Sequence, residues 1–297
     1  MITRSRAHSV KKVNLAQESK SNSSGYPKKK NDQDKLIFEI GAKGRCGVDS
    51  PITSNMKNSK LGPNERFHEI GLPGLSEPQV VRHFVRLSRK NYSIDTGIYP
   101  LGSCTMKHNP RVNEKISRLD GFANIHPMQP QSTVQGALKV IYELASWLKH
   151  LTGMHAVAMS PAAGAHGELC GMMAIRSAIN AKREKRRRIL VPDSAHGTNS
   201  STAAMCGYIV DSIPSDNNGR VDLEKFKDKL DTDVAALMLT NPNTCGIFEK
   251  DILALSEEIH KIGGYLYCDG ANFNAIVGKV RPGSLGIDAM HLNLHKT

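Results

Sequence analysis

The feature that most constrains the fold is an alternation of short apolar runs with helix-length amphipathic segments, which starts at Ala156. The apolar runs have strand length and lie at 156–159, 188–191, 208–213, 234–239, 264–269 and 290–294. The segments between them centre on 165–181, 199–206, 221–230 and 251–262. Strands that alternate with helices indicate βαβ units and a mostly parallel sheet covered on both faces. The predicted fold class is therefore α/β.

Two helices are predicted before this region. The first begins at Ser76, where Gln79 has the spacing of a capping box, and its apolar face is formed by Val80, Val81, Phe84 and Val85. The second follows Ser132 and ends at the helix breaker Gly153. Its apolar residues recur at intervals of three and four, at Val134, Leu138, Ile141, Leu144, Ala145 and Leu148.

Composition divides the chain into three parts. Residues 1–35 are basic and rich in Ser, which predicts a disordered tail, although a transit peptide would have a similar composition. Residues 36–131 are predicted to form an extended N-terminal arm with a helical segment, and residues 132–297 part of a large domain. Because no apolar run approaches the roughly 18 residues of a membrane span, we expect a soluble protein with no membrane partner.

The net charge of +12 is confined to two segments. Residues 1–30 contain eight Lys and Arg and one acid, and the run "KREKRRR" at 182–188 contains six bases and one acid. Outside them the chain has 26 bases and 26 acids. This distribution argues against a broad nucleic-acid surface, and we interpret 182–188 as a solvated helix end.

The cysteines have neither disulfide nor metal-site spacing. The six residues, at 46, 104, 170, 206, 245 and 268, form no C-x-x-C pair and no cluster with His at zinc spacing, so no metal site is expected. Free thiols are typical of a reducing compartment, and a cytoplasmic location follows as the expectation.

Four loops that follow the apolar runs carry polar or small residues. In open α/β sheets ligands bind at the carboxyl ends of the strands, where these loops lie. "SPAAGAHGE" (160–168) can bring amide groups at a helix N-terminus close to a phosphate, or can serve tight packing alone. His196 can pack on a ligand or transfer a proton, or simply bond to neighbouring backbone. Asp269 can pair with a buried cation or cap the next segment.

Lys296 completes a pattern that none of these residues would indicate alone. An isolated lysine after a strand is usually a solvated charge, but beside apolar residues its pKa can fall and make it a nucleophile. A phosphate loop, a stacking His, an Asp at a strand end and then a Lys, in this order, are expected for pyridoxal 5′-phosphate (PLP).

Long motifs resemble the C-terminal, PLP-binding subunit of the glycine decarboxylase family, the P-protein of the glycine cleavage system. They include "NYSIDTGIYPLGSCTMKHNP", "GFANIHPMQP", "PAAGAHGELCGMMAIR", "VPDSAHGTNSS", "LTNPNTCGIFE", "DGANFNAIVGKVRPG" and "MHLNLHKT", and the resemblance extends from about residue 36 to residue 297. It implies an aminotransferase-like large domain of PLP fold type I. Since family members continue beyond the lysine with further strands and a smaller domain, it also implies a fold incomplete at the C-terminus.

The resemblance also implies roles for individual residues. Lys296 would form the Schiff base with PLP, and Asp269 would pair with the pyridine nitrogen. His196 would stack on one face of the ring and Ala271 on the other, with Asn241 facing the phenolic oxygen. The phosphate cradle would include Gly164, Ala165 and His166. The loop "GSCTMK" would reach the carboxylate of glycine through Ser103, Cys104, Thr105 and Lys107.

The implied activity is that of glycine dehydrogenase (aminomethyl-transferring), an oxidoreductase with a disulfide acceptor. Glycine would be decarboxylated, and its aminomethyl group would pass to the lipoyl arm of H-protein. The implied partners are the other P-protein subunit, in a heterotetramer of two copies of each, and the T- and L-proteins. The alternatives are another fold-type I decarboxylase or aminotransferase, an inactive truncated fragment, or a basic protein that binds polyanions through residues 1–30 and 182–188.

Overall fold

The structure is a computed structural model that describes residues 35–47, 62–66, 68, 70–98 and 106–297. The chain divides into two compact units, residues 1–91 and residues 92–297. The domain boundaries predicted at residues 35 and 131 remain predictions.

The described part of the first unit contains one α-helix and two short 3₁₀ turns. The turns span Ile37–Glu39 and Gly62–Asn64, and helix α1 spans Glu77–Ser88. The predicted capping box is present, because the side-chain oxygen of Gln79 accepts from the backbone amide of Ser76 at 3.0 Å. The predicted apolar face is largely exposed at Val81, Phe84 and Val85. The buried residue of α1 is His83 instead.

In the second unit, α2 (Arg111–Ser117), α3 (Asp120–Ala123) and α4 (Gln135–Thr152) precede the sheet region. A 3₁₀ turn at Gln131–Thr133 leads into α4, the helix predicted after Ser132. This helix ends as predicted at Gly153, whose φ of 74° suits a residue without a Cβ. Its apolar face is buried at Leu148 but exposed at Leu138 and Ile141.

The rest of the unit is a five-stranded parallel sheet with helices between the strands. In chain order the elements are α5 (Gly164–Ala181), β1 (Arg188–Pro192), α6 (Gly197–Met205), β2 (Ile209–Ile213), α7 (Leu223–Asp228), β3 (Val234–Thr240), α8 (Ile252–Lys261), β4 (Tyr265–Gly270) and β5 (Ala289–Leu292). Short 3₁₀ turns at Phe273–Ala275 and Pro282–Leu285 join the last two strands. The strand order is β2-β1-β3-β4-β5, and every neighbouring pair is parallel. The α/β prediction is confirmed.

The central strand β3 supplies both faces of the core. Leu237 and Leu239 pack with α7 and α8, whereas Ala236 and Met238 pack with α5 and α6. All seven residues of β3 are buried. This two-sided burial explains why the strand is a continuous apolar run rather than an alternating one.

One predicted strand is absent from the described residues. The apolar run 156–159 has no partner strand and forms an irregular segment before α5. A strand needs a neighbour to pair its backbone groups, and this run pairs with neither edge strand of the sheet, β2 or β5. Residues of this run and of β5 instead line a shared cavity of about 820 Å³. The prediction failed because a run of suitable composition does not specify its partner.

The basic run at 182–188 is not a solvated helix end, as its composition suggested. Only Lys182 caps α5, and the chain then turns towards β1. The guanidinium of Arg186 donates to the carbonyl oxygens of Val234 (2.8 Å) and Ile262 (2.7 Å). Arg188 pairs with Asp211 and Asp231. Much of this positive charge therefore bonds to the protein itself.

Candidate functional site

The carboxyl ends of β1, β3, β4 and β5 meet at one edge of the sheet, because these strands are parallel. The strand order reverses direction between β1 and β3, which is the topological switch point where open α/β sheets bind ligands. His196 follows β1, Asn241 follows β3, and Asp269 lies near the end of β4. The sequence thus placed three candidate residues at the same edge.

Asp269 is a buried carboxylate, 4% exposed, that accepts two hydrogen bonds and lies close to the ring of His291. Its Oδ1 accepts from the backbone amide of Ala271 at 2.9 Å and lies 3.3 Å from Nε2 of His291. With its amide nitrogen facing the acceptors, Asn199 donates to Oδ2 at 3.2 Å. Hydrogen bonds of this kind stabilise an ionised carboxylate despite its burial.

His291 links Asp269 to a buried tyrosine. The hydroxyl of Tyr267 lies 2.6 Å from Nδ1 of His291, whose Nε2 faces Asp269. Burial lowers the pKa of His291, as does the nearby Lys296 ammonium, while the Asp269 charge acts in the opposite direction. Burial also raises the pKa of Tyr267 well above its ordinary value, so that the phenol stays protonated.

Glu168 is a second buried acid in this cluster, 2% exposed, on the second turn of α5. Its side chain bonds to Thr202, but Oε1 has no partner among the described residues. Burial, followed by the negative charge of Asp269, raises the pKa of Glu168 to about 7. Glu168, Asp269 and His291 each place a polar atom within 4.8 Å of the others.

The N-terminus of α5 forms a small-residue cradle. Gly164, Ala165 and His166 occupy the first turn, where amide groups have no partner within the helix. Asn293 lies against Gly164, because a Cβ at that glycine would approach its Nδ2 to 2.5 Å. The Oδ1 atom of Asn293 is buried without a partner among the described residues. The amide groups of this first turn can bind an anion, whereas Oδ1 of Asn293 can only accept a hydrogen bond.

His196 is the N-cap residue of α6. Its Nδ1 accepts from the amide of Thr198 at 3.1 Å, which fixes the ring, and the side chain is exposed at the sheet edge. Its carbonyl oxygen accepts from Asn199, the residue that also bonds to Asp269. Ala271 begins the segment after β4 and is half-buried. The two residues therefore connect, directly or through Asn199, to the Asp269 carboxylate.

Asn241 is buried, and its side-chain oxygen accepts from the amide of Glu249 at 3.0 Å. This contact leaves the amide nitrogen as the group able to face a ligand oxygen. The neighbouring Thr240 is the register partner of Asp269, and its hydroxyl is buried without a partner in the described part of the chain.

Lys296 lies half-buried in the turn after β5, where its backbone amide donates to Asn293. Lys107 is half-buried in the segment before α2. Ser103, Cys104 and Thr105, the other predicted substrate contacts, lie outside the described residues. The roles proposed for these four residues stay predictions.

The cavity of about 820 Å³ lies beside the candidate site without including its centre. Its lining contains Gly164, His291 and Asn293, together with residues of 152–163. Asp269, Asn241 and His196 do not line it. We therefore place the candidate site at the Asp269 carboxylate rather than in this cavity. The cavity shares Gly164, His291 and Asn293 with the site but does not contact Asp269.

The sequence reasoning missed Glu168, Asn199, Tyr267, His291 and Asn293. Four of them lie inside α5, α6, β4 or β5, where the sequence pattern indicated no role for these residues. A signal for Glu168 did exist, since it shares the helical spacing of Met172, Ile175 and Ile179, the other buried residues of α5. An acid on an apolar face indicates a buried polar contact.

Comparison with known families and sequences shows what the chain is similar to. The aminotransferase class-V model matches residues 167–297. A Caulobacter vibrioides protein named "Probable glycine dehydrogenase (decarboxylating) subunit 2" is 60% identical over 263 residues, covering 88% of this chain and 50% of that protein. A Thermotoga petrophila protein of the same name is 54% identical, covering 88% and 55%. The chain thus spans about half the length of these curated relatives.

Solved structures share the fold at low sequence identity. Mouse CSAD has a TM-score of 0.61 and 15% identity, covering 77% of this chain and 52% of that one. The sphingosine-1-phosphate lyase of Burkholderia pseudomallei has a TM-score of 0.55 and 18% identity, covering 80% and 59%. At these identities the likeness concerns the fold alone, which is the aminotransferase-like fold type I expected from the sequence.

Proposed function

Because the chain belongs to the family of glycine dehydrogenase (decarboxylating) subunit 2 along the 88% of its length that these relatives match, we propose that it carries the cofactor site of a glycine decarboxylase. The cofactor is PLP. The proposed substrate is glycine, and the proposed acceptor of its aminomethyl group is the lipoyl arm of H-protein.

The observation that carries the proposal is the buried Asp269 carboxylate at the switch-point edge of the sheet. The amides of Ala271 and Asn199 that donate to it favour a carboxylate able to pair with a protonated pyridine nitrogen. The amide groups of the cradle at Gly164, with Nδ2 of Asn293 beside them, are donors that fit a phosphate group. These groups therefore fit PLP.

When bound, PLP supplies an electron-withdrawing ring that accepts the electron pair released as the glycine carboxylate departs. Asp269 holds a proton at the ring nitrogen and so keeps the ring electron-poor. The amides of Gly164, Ala165 and His166 bind the phosphate, and Lys296 is the lysine that bonds the cofactor. These roles rest on position at the sheet edge and on the resemblance of the motifs.

Three further residues orient the ring. His196, whose imidazole is fixed by the bond from Thr198, would cover one face of the ring, and Ala271 would cover the other with a small side chain. Asn241, whose carbonyl oxygen accepts from Glu249, would offer its amide nitrogen to the phenolic oxygen. Ser103, Cys104, Thr105 and Lys107 are proposed to bind the glycine carboxylate.

The proposed assembly follows from the relatives' designation as subunit 2. The partner would be the other P-protein subunit, in a heterotetramer of two copies of each, acting with the T- and L-proteins. A cytoplasmic location is proposed from the thiol content, since Cys170, Cys206, Cys245 and Cys268 form no disulfide. None of the described helices has both the length and the apolar character to cross a membrane.

The specificity for glycine can be tested by absorbance. The chain is loaded with PLP, mixed with the partner subunit and titrated with glycine or, as a control, with L-alanine. We expect a change in the visible spectrum with glycine only, and release of carbon dioxide once lipoylated H-protein is added. A PLP-loaded chain that responds equally to both amino acids would contradict the proposal and favour another fold-type I enzyme.

A further inference from the structure

A buried polar cluster, formed by Glu168, Asp269, His291 and Tyr267, lies beneath the proposed cofactor site. The four side chains come from α5, β4 and β5 and are all buried. Glu168 and Asp269 place two acids in one apolar environment, where two adjacent negative charges are strongly unfavourable. The arrangement of donors determines which acid carries the charge.

Asp269 is surrounded by donors, whereas Glu168 is not. The amides of Ala271 and Asn199 donate to the two oxygens of Asp269, and Nε2 of His291 lies 3.3 Å from Oδ1. Glu168 has only the hydroxyl of Thr202, and its Oε1 has no partner among the described residues. Glu168, whose pKa burial raises to about 7, is therefore the acid of the pair that holds a proton below that pH.

The tautomer of His291 follows from Tyr267. A protonated phenol 2.6 Å from Nδ1 donates its hydrogen, which requires Nδ1 to be the acceptor of a neutral imidazole. The ring proton then lies on Nε2, which is 3.3 Å from Oδ1 of Asp269. Tyr267 and His291 share a hydrogen bond, and His291 lies against Asp269, so the three residues form one row of polar contacts.

We propose that Tyr267, His291 and Glu168 are positioning residues that make Asp269 the single anionic carboxylate of the buried cluster, ready for a protonated ring nitrogen. The inference deepens the proposed function and depends on it for the identity of the ligand. A metal site at the same three groups fits less well, because both nitrogens of His291 are already committed to Tyr267 and Asp269.

The charge assignment is tested in the chain without cofactor, from the pH dependence of the free energy of unfolding. The folded pKa of Glu168 is raised from 4.5 to about 7, so the folded chain holds this proton more tightly than the unfolded chain. The contribution of Glu168 to stability is present below about pH 4.5 and declines as the pH rises to about 7. Other titratable groups facing the cluster are Cys170, Cys268 and Lys296.

Glu168→Gln mimics the protonated acid without titrating. Between about pH 4.5 and 7 the folding equilibrium constant of wild type should fall by up to about tenfold per pH unit through Glu168. The variant should lack this fall and should be more stable than wild type at pH 8. Glu257→Gln on the exposed surface of α8 is the charge-matched control and should keep the wild-type slope. Equal slopes in wild type and Glu168→Gln would overturn the assignment.

A second measurement examines the contacts of His291 with Tyr267 and Asp269. Nitrogen NMR of labelled protein should give the Nε2–H tautomer in wild type, and Tyr267→Phe should convert it to a mixture. An Nδ1–H tautomer in wild type would refute the inference.

Titration with PLP separates this inference from the proposed function. Wild type that binds no PLP, even while Glu168→Gln alters the pH slope, would overturn the proposed function but not the charge assignment. If wild type binds PLP but its free energy of unfolding has the same pH dependence as that of Glu168→Gln, only the charge assignment is overturned. If both hold, the control Glu257→Gln should bind PLP within about twofold of wild type, since it leaves the buried cluster unchanged.

Discussion

At the scale of single residues, the site depends on a carboxylate that the protein stabilises before any ligand arrives. Asp269 is buried, yet its oxygens accept from the amides of Ala271 and Asn199. Glu168 has fewer partners, and burial raises its pKa to about 7. The difference between two neighbouring acids arises from their hydrogen-bond partners.

Replacing Asp269 with Asn should weaken PLP binding while leaving the fold intact. The substitution keeps the shape of the side chain but removes the charge that pairs with the ring nitrogen. A hydrogen bond to a charged group contributes about 1.5–3 kcal/mol, so the dissociation constant for PLP should rise about tenfold to a hundredfold. An absorbance titration measures it, with Asp228→Asn at the exposed end of α7 as control. Equal affinity in both variants would remove Asp269 from the site.

The sequence identified the residues at strand ends but not those inside elements. Asp269, His196 and Asn241 stood out because polar residues after apolar runs meet at one sheet edge. Tyr267 and His291 did not, because a polar residue within a strand gives no indication of which side chain faces it across the sheet. Tyr267 and His291 are 24 residues apart in sequence, and the pairing of β4 with β5 brings them together.

At the scale of elements, one face of α5 is made of glycines that let it approach the sheet closely. Gly167 lies against His291 and Gly171 against the ring of Tyr267. A Cβ at position 171 would approach Cε2 of Tyr267 to 2.7 Å, and the ring is fully buried. The helix thus holds both the cradle at its N-terminus and Glu168 against the cluster.

Gly171→Ala should therefore destabilise the second unit. The overlap costs about 1–3 kcal/mol and opposes a gain in helix propensity of about 1 kcal/mol, which gives a net loss of up to about 2 kcal/mol. Denaturant unfolding measures the change. Gly136→Ala in α4, where an added Cβ meets nothing within 4 Å, is the matched control and should be neutral or slightly stabilising. A stable Gly171→Ala variant would contradict this close packing.

Arg186 shows how a basic run can serve the fold. Its guanidinium bonds to the carbonyl oxygens of Val234 and Ile262, so Arg186→Ala would leave two acceptors without a protein donor. We expect a loss of about 2–3 kcal/mol in the free energy of unfolding. The neighbouring exposed Lys185, changed to Ala, should alter it by no more than about 0.5 kcal/mol. Equal effects of the two substitutions on the free energy of unfolding would support the interpretation of residues 182–188 as solvated.

The elements themselves were largely predictable, with one instructive exception. Five of six predicted strands are present, because each has the composition and length of a buried strand and a neighbour with which to pair. The run 156–159 has the same composition but no neighbour among the described residues, and it is not a strand. Local pattern predicts the potential to form a strand, whereas the pairing partner determines the outcome.

At the scale of the whole molecule, burial of the central sheet should control the reactivity of the cysteines. Cys268 in β4 and Cys206 are buried, whereas Cys170 and Cys245 are exposed. Burial raises the pKa of Cys268 to about 12, so almost none of it is thiolate at pH 8. Alkylation of the folded chain at pH 8, followed by peptide mass analysis, should label Cys170 and Cys245 and spare Cys268 until denaturant is added. Rapid labelling of Cys268 in the native chain would show that this sheet is not formed.

The central claim is that the edge formed by β4, β5 and α5 binds PLP through Lys296, and chemical trapping tests it most directly. The chain is mixed with PLP, reduced with borohydride, digested and analysed by mass spectrometry, beside Lys296→Ala. We expect PLP on Lys296 in wild type and a visible absorbance band that Lys296→Ala lacks. PLP distributed over exposed lysines such as Lys279, or an identical band in the variant, would contradict the site.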